Sequence, residues 1–120
     1  MAIALGGAFG AVARFASSQW IYGLLGRGFP YGTLFVNFIG SFVMGFLAIV
    51  LIERLAAGPE LRAFLLIGFL GSFTTFSTFS LETINLFSSG ESLKAFVNML
   101  VSVFVCISAC WLGIILGRQV

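Results

Sequence analysis

The residues best suited to chemistry in this chain lie close together: Gly68-Phe69-Leu70-Gly71-Ser72-Phe73-Thr74-Thr75-Phe76-Ser77-Thr78-Phe79-Ser80. Aromatic rings alternate with hydroxyls here. Ring edges carry partial positive charge, and hydroxyls donate hydrogen bonds. Together they replace part of the hydration shell of a small anion without holding it too tightly to leave, which conduction requires. Phe76 and Phe79 are three apart and share a helix face, with Ser77 and Ser80 beside it. Further polar groups lie inside apolar surroundings: Arg14, Asn37 and Glu82. Arg14 either snorkels to water or draws an anion towards a pathway. Asn37, followed by Gly40, Ser41 and Gly45 on one face, either hydrogen-bonds between helices or donates its amide to a passing anion. Glu82 reads as an acid within the membrane or as a side chain at its edge.

These residues are set in a chain of 120, of which 60% are hydrophobic and 8% charged. A soluble domain carries about 25% charged residues to wet its surface, so the apolar surface here faces lipid. Four apolar runs of about 20 residues, the length that crosses a bilayer, are expected as transmembrane helices at 2–25, 32–52, 63–87 and 93–117. They fill residues 1–120 as a single transmembrane domain. The first run is long and has Arg14 near its middle, unlike a cleavable leader, and is expected to remain as a span.

The third run is the unusual one. Gly68, Gly71 and a dense Ser/Thr series weaken the helix at mid-membrane, where no water replaces a lost backbone bond. Breaks at that depth are tolerated where they are buried in protein or line a wet cavity, and freed carbonyls there hold ions. The fourth run carries Asn98, Ser102, Cys106 and Cys110 as a small or polar stripe, which is a packing seam or a second wall of the pathway. Both cysteines read as small apolar side chains, outside any metal-type cluster. The Gly6/Gly10 and Gly113/Gly117 pairs are close-packing motifs.

Several function classes drop out. Histidine is absent, which removes histidine-ligated metals and histidine bases. No paired carboxylates or phosphate loop are present, so no enzyme is expected. A formal charge of +2 without a basic run gives no nucleic-acid partner. Basic residues divide almost evenly between the two sides, with Arg54, Arg62 and Arg118 against Arg27 and Lys94. Such a chain has little orientation bias, which allows two copies to pair head to tail. A dual-topology cation exporter needs a carboxylate in the first span, and Arg14 stands there instead. A purely structural subunit would have an unbroken third helix.

The sequence resembles the small bacterial fluoride-channel family (Fluc, also called CrcB). The resemblance rests on Gly6-Gly7-Ala8-Phe9-Gly10-Ala11-Val12-Ala13-Arg14-Phe15, on Gly32-Thr33-Leu34-Phe35-Val36-Asn37-Phe38-Ile39-Gly40, and most specifically on Gly68 to Phe79. Ser72 departs from the family, which usually has a glycine there. The resemblance implies an antiparallel, dual-topology homodimer in the bacterial inner membrane. It implies two pores that pass fluoride out of the cell, reject chloride and so relieve fluoride toxicity. By position it places Phe76, Phe79 and Asn37 on the fluoride path, Ser77, Ser80 and Glu82 on a polar track, and Arg14 near the vestibule. It assigns a central structural sodium ion to the backbone carbonyls of Gly71 and Thr74 from both subunits. A hydroxyl is expected at the position of Cys110.

Overall fold

The computed structural model describes residues 1–120 and is all helical. Helix α1 runs from Ala2–Leu25. Helix α2 covers Tyr31–Ile49 and continues through a wide turn of π-helix, Val50–Arg54. Helix α3 starts at Pro59–Arg62, widens into π-helix over Ala63–Leu70 and ends in the short turn Gly71–Phe73. After a gap of two residues comes α4, Phe76–Ser88. Helix α5 is Ser92–Gln119. With α3 and α4 taken as two halves of one rod, the molecule is four rods in a bundle measuring 49 × 29 × 23 Å.

The sequence explains where the rods stop. Gly26, at φ 83°, turns the chain out of α1 while its N–H still caps the Tyr22 carbonyl. Pro59 opens α3 at a position where its missing N–H costs nothing. Gly90, at φ 82°, makes the turn from α4 to α5. Lys94 Nζ ties that turn to the first loop by donating to the Gly28 carbonyl at 3.0 Å, and it pairs with Glu91 at the same distance.

Three of the rods, Tyr31–Arg54, Pro59–Ser88 and Ser92–Gln119, are long and apolar enough to cross a membrane. Helix α1 has the length, but Arg14, Ser17, Ser18 and Gln19 dilute its apolar character. Few side chains are buried within the chain, while Phe9, Val12, Phe15, Trp20, Phe104 and Trp111 are each more than 60% exposed. That surface is apolar enough to need lipid or protein around it. The chain is a multi-pass membrane protein.

Packing between the rods is backbone to backbone. A methyl group at Gly10 would overlap the Phe69 carbonyl of α3, and one at Gly45 would overlap the Cys110 carbonyl of α5. Small residues permit this approach, and dispersion between closely packed chains is the main attraction available to helices in lipid. The two contacts fix α1 against the wide-turn part of α3, and α2 against the middle of α5. A third small residue, Gly40 of α2, packs against Thr74 and Phe73, so the break in the third rod has α1 close on the Phe69 side and α2 at Thr74.

Candidate functional site: a broken helix over an aromatic groove

The break consists of Thr74 and Thr75, both extended, at φ −90°, ψ 158° and φ −152°, ψ 122°. Ending one helix and starting another exposes carbonyls on one side and N–H groups on the other. In a continuous helix Thr75 N–H would bond the Gly71 carbonyl. Instead it donates to Asn37 Oδ1 of α2 at 2.7 Å, while Asn37 Nδ2 returns a bond to the Thr75 carbonyl at 2.9 Å. The asparagine thus imitates a neighbouring peptide and pairs with the broken backbone in both directions. Asn37 is the interhelical hydrogen-bonding residue that one reading of the sequence gave it. Its amide still has a second N–H to offer.

The other freed groups find partners close by. Arg14 Nε of α1 donates to the Ser72 carbonyl at 2.9 Å, a group whose helical partner, the N–H of Phe76, begins the next helix. Arg14 is therefore turned into the protein at the break rather than snorkelling away from it. Ser72 also explains its own departure from the family pattern. Its hydroxyl would lie 3.3 Å from a methyl group at Gly7, so a side chain is accommodated there because α1 has none. Thr75 serves as the N-cap of α4: its Oγ1 accepts from Thr78 N–H at 3.2 Å. That bond also diverts the helical partner of the Thr74 carbonyl. The carbonyls of Gly71 and Thr74 are consequently the two whose usual N–H donors are committed elsewhere, one to Asn37 and one to the Thr75 side chain.

Beside the break lies a groove of about 400 Å³, walled by α2 and α5. Asn37, Thr74, Thr75, Phe76, Phe79 and Ser102 all line it. The Phe76 and Phe79 rings face one another with centroids 5.3 Å apart and planes at 54°, a tilted pair. They differ in setting. Phe79 is 9% exposed, whereas Phe76 is 76% exposed on this single chain. A buried chain of polar groups backs the groove: Asn98 Nδ2 donates to Thr83 Oγ1 at 2.9 Å, Ser102 Oγ to Asn98 Oδ1 at 3.3 Å, and Thr83 Oγ1 to the Phe79 carbonyl at 2.8 Å. Asn98 thus joins α5 to α4 as a hydrogen-bonded seam, while Ser102, bonded to it, is part of the groove's wall.

Gly40, Ser41, Cys106 and Cys110 also line the groove, whereas Ser77, Ser80 and Glu82 lie outside it. Ser80 Oγ bonds back to the Phe76 carbonyl at 3.0 Å, and Ser77 is exposed with its hydroxyl 3.4 Å from that of Thr75. Glu82 lines a separate cavity of about 210 Å³ together with Tyr22, Arg27, Asn85 and Ser89. Tyr22 donates to Glu82 Oε2 at 2.8 Å, and Glu82 Oε1 is buried without a partner. Sequence reasoning did not find Thr83 or Met44 as site residues. Thr83 follows Phe79 by one turn, and Met44 follows Asn37 by two, so helical spacing held the signal for both.

A membrane-embedded helix broken over a polar and aromatic groove defines the class of this protein, a small helical membrane protein with a discontinuous helix. Comparison with known proteins then assigns the family. Residues 1–114 match the family described as "CrcB-like protein, Camphor Resistance (CrcB)". The chain is 58% identical over 118 residues to a protein of Methylococcus capsulatus, covering 98% of this chain and 52% of that one. It is 52% identical over 118 residues to one of Magnetococcus marinus, covering 98% and 96%. Over 119 residues it is 50% identical to one of Hydrogenovibrio crunogenus, covering 99% and 90%. All three relatives bear the name fluoride-specific ion channel FluC. The chain spans about half the length of the Methylococcus capsulatus relative and nearly all of the other two. This chain belongs to the CrcB family, whose named relatives are ion channels rather than enzymes.

Proposed function

We propose that this protein is a fluoride-selective channel that lets the anion leave the bacterial cytoplasm passively across the inner membrane. The observation that carries this reading is the helix break at Thr74–Thr75 facing a groove lined by Phe76, Phe79 and Asn37, in a chain at least half identical to proteins named for fluoride. Hydrogen fluoride crosses membranes as a neutral molecule and ionises inside, so a passive anion path is enough to relieve it. Phe76 and Phe79 offer ring edges to the desolvating anion. The second Asn37 N–H supplies a donor on the groove's wall. Ser77, Ser80 and Glu82 continue the track towards one membrane face, and the Arg14 guanidinium, held at the break by the Ser72 carbonyl, draws the anion towards it.

The test is anion efflux from vesicles holding the purified protein under matched fluoride and chloride gradients. Rapid fluoride release with no chloride release is expected. Equal release of both anions, or of neither from folded protein, removes the reading.

The pore is completed by a second copy in the opposite orientation, giving two paths per dimer. Three features support this: Phe76 stands open on one chain, Gly71 is exposed at the break, and the basic residues give almost no preferred orientation. A sodium ion fits the carbonyls of Gly71 and Thr74, which are hard oxygen donors freed of their helical partners. Two carbonyls from each copy make a four-oxygen site. When bound, the ion neutralises the converging helix ends and ties the subunits together. Crosslinking is expected to find subunits facing both ways, and replacing sodium by a bulky organic cation is expected to loosen the dimer. Subunits all facing one way would overturn the antiparallel arrangement. A dimer indifferent to sodium would overturn the ion's role.

A further inference from the structure

The groove contains three sulfur atoms that the anion path does not use. Cys106 and Cys110 are free thiols, both half-buried, one turn apart on α5. Met44 of α2 lines the same groove. The contact between Gly45 and the Cys110 carbonyl brings the α2 and α5 backbones together at this level, which sets the residue before Gly45 opposite the two cysteines. Ser41, one turn earlier on α2, faces Cys106. From sequence the thiols formed no cluster, because the third sulfur lies on a different helix.

We propose that this groove is a binding site for one soft monovalent metal ion, Cu(I) or Ag(I), held by Cys106, Cys110 and Met44. Thiolate and thioether ligands select such ions, while carboxylates and imidazoles are what harder divalent ions need. No carboxylate or imidazole lines the groove. Cβ atoms one turn apart on a helix are about 5–6 Å from each other. Two sulfurs on one three-coordinate ion stand roughly 4.0 Å apart if each bond is near the 2.3 Å typical of thiolate–metal bonds. The pair on α5 therefore reaches one ion by side-chain rotation alone, and Met44 adds the third ligand from across the groove. Charge favours the same assignment. One cysteine releases its proton to water as its sulfur–metal bond forms, and the other ligates as a thiol. The complex of thiolate, thiol, thioether and monovalent ion is then neutral, which suits walls that are mostly apolar. A divalent ion would leave a net charge in the same surroundings.

An ion held there occupies the same groove that Phe79 and Asn37 line and obstructs it. This consequence, unlike the binding itself, rests on the proposed anion path. The experiment uses Ag(I) as the probe, because it is stable in air, and reads binding by calorimetry and native mass spectrometry on the purified full-length protein. One ion per chain is expected. Replacing both thiols (Cys106→Ser with Cys110→Ser) is expected to weaken binding by about 100-fold or more, and Met44→Leu by about tenfold. All three substitutions are close in size to the original, and retained helical content confirms that the variants fold. Absence of binding, independent binding of two ions per chain, or indifference to Met44→Leu would overturn the site. In vesicles, Ag(I) is expected to stop fluoride efflux from the wild type and to spare the double serine variant. If the ion binds at one per chain but wild-type vesicles never released fluoride, the anion path fails and the metal site stands. If it binds and efflux continues unchanged, the site is not on the path.

Discussion

Replacing Asn37 by leucine is expected to destabilise the protein by about 3 kcal/mol and to cut fluoride efflux at least tenfold. The substitution removes both bonds that Asn37 makes to Thr75, at 2.7 and 2.9 Å. In water the freed N–H and carbonyl would be solvated. At mid-membrane they stay bare, and each unsatisfied group costs about 1–3 kcal/mol. The N–H weighs more, since the carbonyl has a second lone pair through which to bond within α4. The broken rod has two ways to recover: it closes the gap into continuous helix, or it reorganises around water. Either outcome displaces Phe76 and Thr74 from the groove.

The Asn37→Asp variant separates clamp from pore lining. As a neutral acid it offers one acceptor and one donor and can reproduce both bonds. As a carboxylate it has only acceptors and faces the Thr75 carbonyl. Its stability is therefore expected to be near wild type at low pH and to fall as pH rises through the titration of the new carboxyl. Thermal unfolding in detergent across pH reads this directly. A leucine variant as stable as the wild type, or an aspartate variant whose stability rises with pH, would show that Asn37 does not hold the break.

How much of this was legible in the sequence depends on distance along the chain. Helix ends were written locally, in Gly26, Pro59 and Gly90, and apolar length marked the rods. The weak point in the third rod was also local, since glycines and a Ser/Thr series announce it. What resolves the weakness was not local. The partners of the broken backbone are Asn37, 38 residues away from Thr75, and Arg14, 58 residues away from Ser72. Sequence marked both as polar groups in apolar runs that needed a partner, and left open whether that partner was protein, water or an anion. Packing decides it, because Gly10 lets α1 approach Phe69 and Gly40 lets α2 approach Phe73 and Thr74 so closely that the neighbouring polar side chains, Arg14 and Asn37, reach the break. Ser77 and Ser80 show the opposite case. Alternation with aromatic residues placed them beside a pathway, but a helical serine readily bonds the carbonyl one turn back, and Ser80 does so.

Phe76→Ile and Phe79→Ile are each expected to cut fluoride efflux at least tenfold, equivalent to about 1.4 kcal/mol of lost stabilisation for the passing ion. Their effects on the fold should differ. Phe76 is 76% exposed on the single chain, so its loss should leave monomer stability almost unchanged. Phe79 is 9% exposed, and a swap to a smaller branched side chain there costs about 1–1.5 kcal/mol through imperfect repacking. A flux defect in Phe76→Ile with normal unfolding is thus the cleaner sign that a ring edge meets the ion. Because the two rings are in contact, with centroids 5.3 Å apart, their contributions should not add. If the anion passes between them as a pair, removing the second ring after the first costs less than removing it alone, and the double variant falls short of the product of the single effects. Independent effects would instead place the rings at successive stations along the path. Unchanged efflux in both single variants would take the aromatic residues out of the mechanism and leave the hydroxyls and Asn37 as the only groups able to replace the anion's hydration.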